Sequence, residues 1–376
     1  MQFVDLAKQL ETIRGTVEER IKTVLDHGNF ILGPEIKELE KKLAAFAGVK
    51  HCISCSSGTD AILLSLMAYN IGPGHAIFTT PFTFIATAEV ISLLGATPVY
   101  VDIDPDTFNM DPEKLRQTIQ DIKNNKKPTP QFPDGLIPKG IIAVDLFGLP
   151  ADYDAINAIA REHDLFVVED AAQSFGGRYK GKMAGNLADV AATSFFPAKP
   201  LGCYGDGGAI LTNNDKLADI MESLRVHGKG QHKYDNIRIG INGRLDTIQA
   251  AILLAKLEIF GKEIEKRQEV SARYSEGLKN AVKVPQVPEG YRSAWAQYSI
   301  VSDRKKELMT QLQNAGIPTA VYYPRPLHLQ TAFSFLGYTE GSMEVSEKTS
   351  DTIFSLPMHP YLSTQDQDKI IDCIIK

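Results

Sequence analysis

In TSFFPAKPLGCYGDGGAI (Thr193–Ile210) the one cation is Lys199, framed by Pro197 and Pro200. A solvated surface lysine needs no such frame. Pro200 biases the residue before it toward an extended backbone, and Pro197 fixes another φ nearby. The amine is therefore carried on a stiff segment. LFVVEDAAQS (Leu165–Ser174) brings Glu169 and Asp170 to the end of an apolar run, with Gln173 three residues on. Successive strand residues face opposite ways, so one of the two carboxylates at most meets a given ligand. SSGTDAI (Ser56–Ile62) follows a further apolar run and opens a helical pattern. There Gly58 permits a tight turn, and Thr59 can cap the helix and bond an anion. Backbone N–H groups at such a terminus bind phosphate.

These groups need elements to hold them. Short apolar runs at His51–Cys55, Ala76–Thr79, Pro98–Asp102, Gly140–Leu146, Leu165–Glu169, Val190–Phe195 and Ala209–Thr212 read as strands. Helical spacing fills Asp60–Tyr69, Ile85–Leu94, Pro112–Ile119 and Tyr153–His163 between them. Alternating strands and helices predict βαβ units and a mainly parallel sheet, covered on both faces by helices. In such sheets ligands gather at the carboxyl ends of strands, where Asp170 and Lys199 fall. From Arg244 the apolar residues keep helical spacing for some thirty residues, and Gly261 predicts a bend or break. Helices near Lys305–Ala315 and Gln365–Ile375 follow. The expected division is a large domain over 1–259 and a smaller α+β domain over 260–376.

The chain has 376 residues, 43% hydrophobic and 23% charged, as expected of a soluble enzyme. A net charge of −6 argues against non-specific nucleic-acid binding. No apolar run approaches the ~20 residues that span a bilayer, and MQFVDLAKQLETIRG is unlike a signal peptide, so the cytoplasm is the expected location. Cys52 and Cys55 form a C-x-x-C with no second pair, read as a buried strand rather than a metal site.

An amine able to form a Schiff base, a carboxylate able to keep a pyridinium nitrogen protonated and a phosphate turn are together what pyridoxal 5'-phosphate requires. Lys199 would then serve as general base and acid.

The ordered set GNFILGPEI, SSGTDAI, PFTFIATA, LGATPVYVDID, VVEDAAQSFGG, SFFPAKPLGCYGDGGAI, the R-x-H-G of Arg225–Gly228 and INGRLDTIQAAI resembles the DegT/DnrJ/EryC1/StrS sugar aminotransferases from about Phe3 to Pro360. The resemblance implies the fold-type I aspartate aminotransferase architecture. It also implies Lys199 as the Schiff-base lysine, Asp170 on the pyridine nitrogen and Gln173 near the ring hydroxyl. Phe84 would stack on the ring, Ser194 and the Gly58–Thr59 turn would bind the phosphate, and Asn242 would reach that phosphate in a second subunit of a homodimer. Within the family, HGNFILGPEI, CISCSSGTDA and VYVDIDPDTFNMDP point to enzymes that aminate C3 of a UDP-linked 2-acetamido-3-keto-glucuronic acid, with glutamate as donor, for surface polysaccharides such as O-antigen. Arg244 would take the carboxylate, and Tyr322, Tyr323 and His328 would approach the sugar. The alternatives are C4 amination of a UDP- or dTDP-4-keto-6-deoxy sugar, a dehydratase, which has histidine in place of the lysine, and a non-catalytic nucleotide-sugar-binding regulator.

Overall fold

A computed structural model describes residues 1–232 and 234–376. Its central sheet contains β1 (His51–Cys55), β2 (His75–Thr79), β3 (Thr97–Tyr100), β4 (Ile137–Val144) and β5 (Phe166–Asp170). After a small ribbon, β6 (Arg178–Tyr179) and β7 (Lys182–Met183), the sheet is completed by β8 (Val190–Ser194) and β9 (Gly208–Thr212). The order is β1-β9-β8-β5-β4-β2-β3. Strands β3, β2, β4, β5 and β8 run parallel, while β9 is antiparallel to both β1 and β8. The expected mainly parallel α/β sheet is present, and each expected strand lies within a few residues of its observed place.

Both faces are covered, and alternation along single strands shows how. Ile141 and Ala143 of β4 and Val167 of β5 join one core, with Leu115 and Ile119 of α5 (Pro112–Lys123) and Ile156 and Ile159 of α6 (Tyr153–His163). Ile142 and Val168 face the other core, with α3 (Gly58–Ala68), α4 (Ala86–Leu93) and α7 (Asp215–Leu224). Two N-terminal helices that strand-by-strand reading overlooked, α1 (Leu6–His27) and α2 (Pro34–Ala47), pack against α8 (Thr247–Leu278).

Helix α8 corrects the expectation at Gly261. It is a single 32-residue helix, and a Cβ at Gly261 would meet nothing within 4 Å. Glycine costs about 1 kcal/mol in a helix interior, and burial of the flanking Phe260 and Ile264 outweighs that. The lower half of α8 contributes Val270, Tyr274 and Leu278 to a C-terminal core. β11 (Tyr298–Val301), α9 (Lys305–Asn314), β12 (Ile353–Leu356) and α11 (Thr364–Ile375) complete that core, after the short β10 (Tyr291–Arg292). The segment containing Leu327, Phe333, Leu336 and Met343, just before α10 (Glu344–Thr352), packs instead into the large core beside β4. No helix among the described residues is long and apolar enough to cross a membrane.

Candidate active site

The site lies where parallel strands end. β5 terminates in Asp170, which is 6% exposed. Its carboxylate accepts from Thr87 Oγ1 at 2.8 Å and from the Ala172 N–H at 3.2 Å. Glu169 faces the other way, accepting from the N–H groups of Gly185 (2.6 Å) and Leu187 (3.0 Å), as strand alternation requires. The next strand, β8, ends at Ser194 and leads into the loop that carries Lys199. That loop is closed on itself: the Lys199 N–H donates to Phe196 O (2.9 Å), Cys203 N–H to Phe195 O (2.7 Å) and Phe195 N–H to Gly207 O (2.7 Å).

Lys199 and Asp170 feel each other directly. Burial lowers the affinity of the Lys199 amine for its proton, and the Asp170 charge partly restores it. Burial raises the Asp170 pKa, against the Thr87 hydrogen bond and the Lys199 charge. The amine and the carboxylate are each held away from their ordinary charge preference, as groups that must exchange or hold protons are.

Beside them is the turn that opens α3. Its cap is Ser57, whose hydroxyl accepts from the Asp60 N–H at 3.0 Å, so the capping role expected for Thr59 falls two residues earlier. Thr59 itself is half-buried in the first turn. Gly58 lies so close to Ser194 that an added Cβ would come within 2.7 Å of the serine Cβ. Two of the glycines after Lys199 are likewise required by close packing. A Cβ at Gly208 would meet Ser57 O at 2.3 Å, and one at Gly202 would meet Pro197 O at 2.5 Å. At both positions neighbouring backbone leaves no room for a side chain.

Gln173 joins the two halves of the chain. Its Oε1 accepts from the Phe147 N–H at 2.6 Å and its Nε2 donates to the Tyr323 hydroxyl at 3.2 Å. Tyr323 also packs edge-on to Phe82, and Leu327 N–H donates to Pro81 O at 2.8 Å. Tyr322 rests against Tyr323 and Phe3. Phe84, 57% exposed, stands just before α4. Asn242 is exposed and paired through its backbone with Val226, while Arg244 is half-buried with an Nε that has no hydrogen-bond partner among the described residues. His328 does not join this group. It is 1% exposed, its Nε2 lies 2.9 Å from Glu347 Oε1, and its ring packs against Tyr100 and Tyr338. Its geometry is that of a packed core histidine.

The model of the DegT/DnrJ/EryC1/StrS aminotransferase family matches residues 11–375. The chain belongs to that family. It is 49% identical, over 97% of its length and 96% of the relative's, to UDP-2-acetamido-2-deoxy-3-oxo-D-glucuronate aminotransferase of Pseudomonas aeruginosa. A crystal structure of a DegT/DnrJ/EryC1/StrS aminotransferase from Brucella abortus has TM-score 0.95 and 54% identity, covering 100% of this chain and 98% of that one. NtdA of Bacillus subtilis, solved with its cofactor PMP bound, has TM-score 0.87 and 29% identity over 99% of this chain and 82% of its own. Pyridoxal 5'-phosphate is the cofactor of this aminotransferase fold, and the donor set fits it: a desolvated amine, a buried carboxylate and a helix N-terminus against a serine.

Sequence reading passed over Thr83 and Thr87, although PFTFIATA contains both. Their hydroxyls lie 3.1 Å apart and lead to Asp170. Two threonines four apart in an otherwise apolar segment were the available signal. Asp145, read as strand interior, is a fully buried acid. It accepts from Ser174 Oγ (2.6 Å), the Ala151 N–H (2.8 Å) and the Tyr153 hydroxyl (2.9 Å).

Proposed function

We propose that this aminotransferase moves an amino group from L-glutamate to C3 of UDP-2-acetamido-2-deoxy-3-keto-D-glucuronic acid, in the cytoplasm, for surface polysaccharide synthesis. The observation that carries the chemistry is the buried Lys199 amine, on the loop after β8, set so that its charge and that of Asp170 at the end of neighbouring β5 bear on each other. The sugar is supported by the likeness to the Pseudomonas aeruginosa enzyme over almost the whole of both chains.

When bound, the cofactor supplies an electron sink for the carbon that loses a proton. In this reading the Lys199 amine holds the cofactor covalently and, once free, takes and returns that proton. Burial favours its neutral, basic form. Asp170 holds the proton of the ring nitrogen, and Thr87 fixes the carboxylate that does so. Gln173 approaches the ring hydroxyl, Phe84 covers a ring face, and Ser194 with Gly58 and Thr59 takes the phosphate. Exposed Asn242 reaches the phosphate of a partner subunit, making the active form a homodimer with shared sites. Arg244 binds the uronate carboxylate, with Tyr322 and Tyr323 beside the sugar. Residues 1–259 act as the cofactor-binding unit and 260–376 as the covering unit.

The test is incubation with glutamate and a panel of UDP- and dTDP-keto sugars, with the new amine located by NMR. A C3 amine on the uronate is expected. A C4 amine on a 6-deoxy sugar, with the uronate untouched, would overturn the substrate and leave the class. Lys199→Ala that still transaminated at the normal rate would overturn the chemistry.

A further inference from the structure

The R-x-H-G run of Arg225–Gly228 follows α7. Arg225 sits at the end of α7, 7% exposed. Its Nη1 donates to Glu40 Oε1 of α2 at 2.5 Å and to the Ser54 carbonyl of β1 at 2.7 Å. Glu40 in turn accepts from the Ser54 N–H at 2.9 Å and the Ser54 hydroxyl at 2.8 Å. Three elements are thereby clasped two residues before the turn that opens α3.

The backbone of the same arginine also holds the Asn242–Gly243 segment. Gly243 N–H donates to Arg225 O at 3.0 Å and His227 N–H to Ile241 O at 2.9 Å, so Val226 and Asn242 pair antiparallel. Gly243 O then accepts from the Ser56 N–H at 3.1 Å. Gly228 and Arg238 approach closely, since a Cβ at Gly228, which has φ +69°, would fall 1.9 Å from Arg238 O. The connected path runs Glu40, Arg225, Gly243, Ser56, and then the Ser57 cap and Gly58.

We propose that the ion pair between buried Arg225 and half-buried Glu40 is a positioning device for phosphate binding. It fixes the backbone that leads into the Ser56–Thr59 turn, and so controls affinity for the phosphate end of the cofactor. Neither residue touches the reacting atoms. A surface ion pair would contribute little, but a buried one fixes geometry, since removing one partner leaves the other charge desolvated. The proposal rests on the reading that Ser56–Thr59 is the phosphate turn.

Full-length protein stripped of cofactor is titrated with pyridoxal 5'-phosphate and, separately, with pyridoxal, which lacks the phosphate. The wild type is expected to bind the phosphorylated form far more tightly. Arg225→Gln is expected to weaken it by roughly ten-fold or more, the scale on which displaced supporting groups act, and to leave pyridoxal within about two-fold. Should Arg225→Gln fail to fold by circular dichroism, Glu40→Gln keeps the shape and loses the charge, and it is expected to show the same selective loss at smaller size. Equal weakening of both ligands, or of neither, overturns the clasp alone. A wild type that binds both ligands equally removes the phosphate turn, and the clasp with it.

Discussion

Thr87 Oγ1 donates a 2.8 Å hydrogen bond to Asp170 Oδ2, tying the first turns of α4 to the end of β5. The bond opposes burial, which would otherwise push the carboxyl further up. Thr87→Val therefore makes Asp170 easier to protonate and less fixed. A hydrogen bond to a charged group contributes about 1.5–3 kcal/mol, so turnover is expected to fall roughly ten- to one-hundred-fold. The pH profile of kcat should shift upward in the same variant, and Thr87→Ser should restore both. A Thr87→Val enzyme with wild-type kcat and pH profile would contradict the role.

Gln173 stands between Phe147 and Tyr323, and its two bonds separate experimentally. Tyr323→Phe removes one neutral bond near the surface of the site and should cost about 1 kcal/mol or less in kcat/KM. Gln173→Ala also strands the buried Phe147 N–H, which adds about 1–3 kcal/mol of lost stability. Thermal melting of the two variants checks this: only Gln173→Ala should fall by several degrees.

Asp145 titrates in a way that thermal melting can follow. Burial raises its carboxyl to about 7 from an ordinary 3.8, despite the donors around it. Glu169, raised by burial and by Asp145, adds to the crowding of negative charge. A folded pKa above the unfolded one makes the stabilising contribution complete near pH 4 and lost as pH climbs toward about 7. Asp145→Asn should flatten that loss, by an amount on the order of a few kcal/mol. Ser174 can reverse its hydroxyl to accept from the new amide, so the packing survives. Identical pH dependence in wild type and variant would refute the assignment.

Lys256 is a burden the fold tolerates. It is 1% exposed, its amine has no hydrogen-bond partner among the described residues, and it lies 4.0 Å from the Tyr204 ring centroid. Burial lowers its pKa to about 8. Because the folded value lies below the unfolded 10.5, the charged amine destabilises at pH 7, and stability recovers as pH rises from about 8 to 10.5. Lys256→Met is expected to be more stable at pH 7 by about 1–3 kcal/mol and to lack that alkaline recovery, as denaturant melts at pH 7 and pH 10 would show.

The parallel sheet was legible because buried strands carry continuous apolar runs; Asp170 closes one such run as the last residue of β5, and Lys199 falls on the loop that follows β8. The Thr83–Thr87 spacing marked a polar pair in an apolar segment, but nothing local names its partner, a carboxylate 83 residues away. His328 sits in a motif of plausible ligands, and its burial depends on Tyr100, more than two hundred residues earlier. The Gly58–Ser194 approach was hidden likewise, although both residues had been assigned to one phosphate. Gly261 misled because local propensity is weak beside the burial of both flanking faces.

The unbroken α8 makes the two ends of the molecule one mechanical part. At 32 residues it is about 48 Å long, and a tilt of only about 5° at Asp246 sweeps Leu278 through roughly 4 Å. Arg244 lies just ahead of that pivot, and Leu278 is planted in the C-terminal core. Chimaeras with relatives that exchange chain after residue 259 would splice two halves of a lever, whereas exchange after Leu278 would pass the whole lever to one parent.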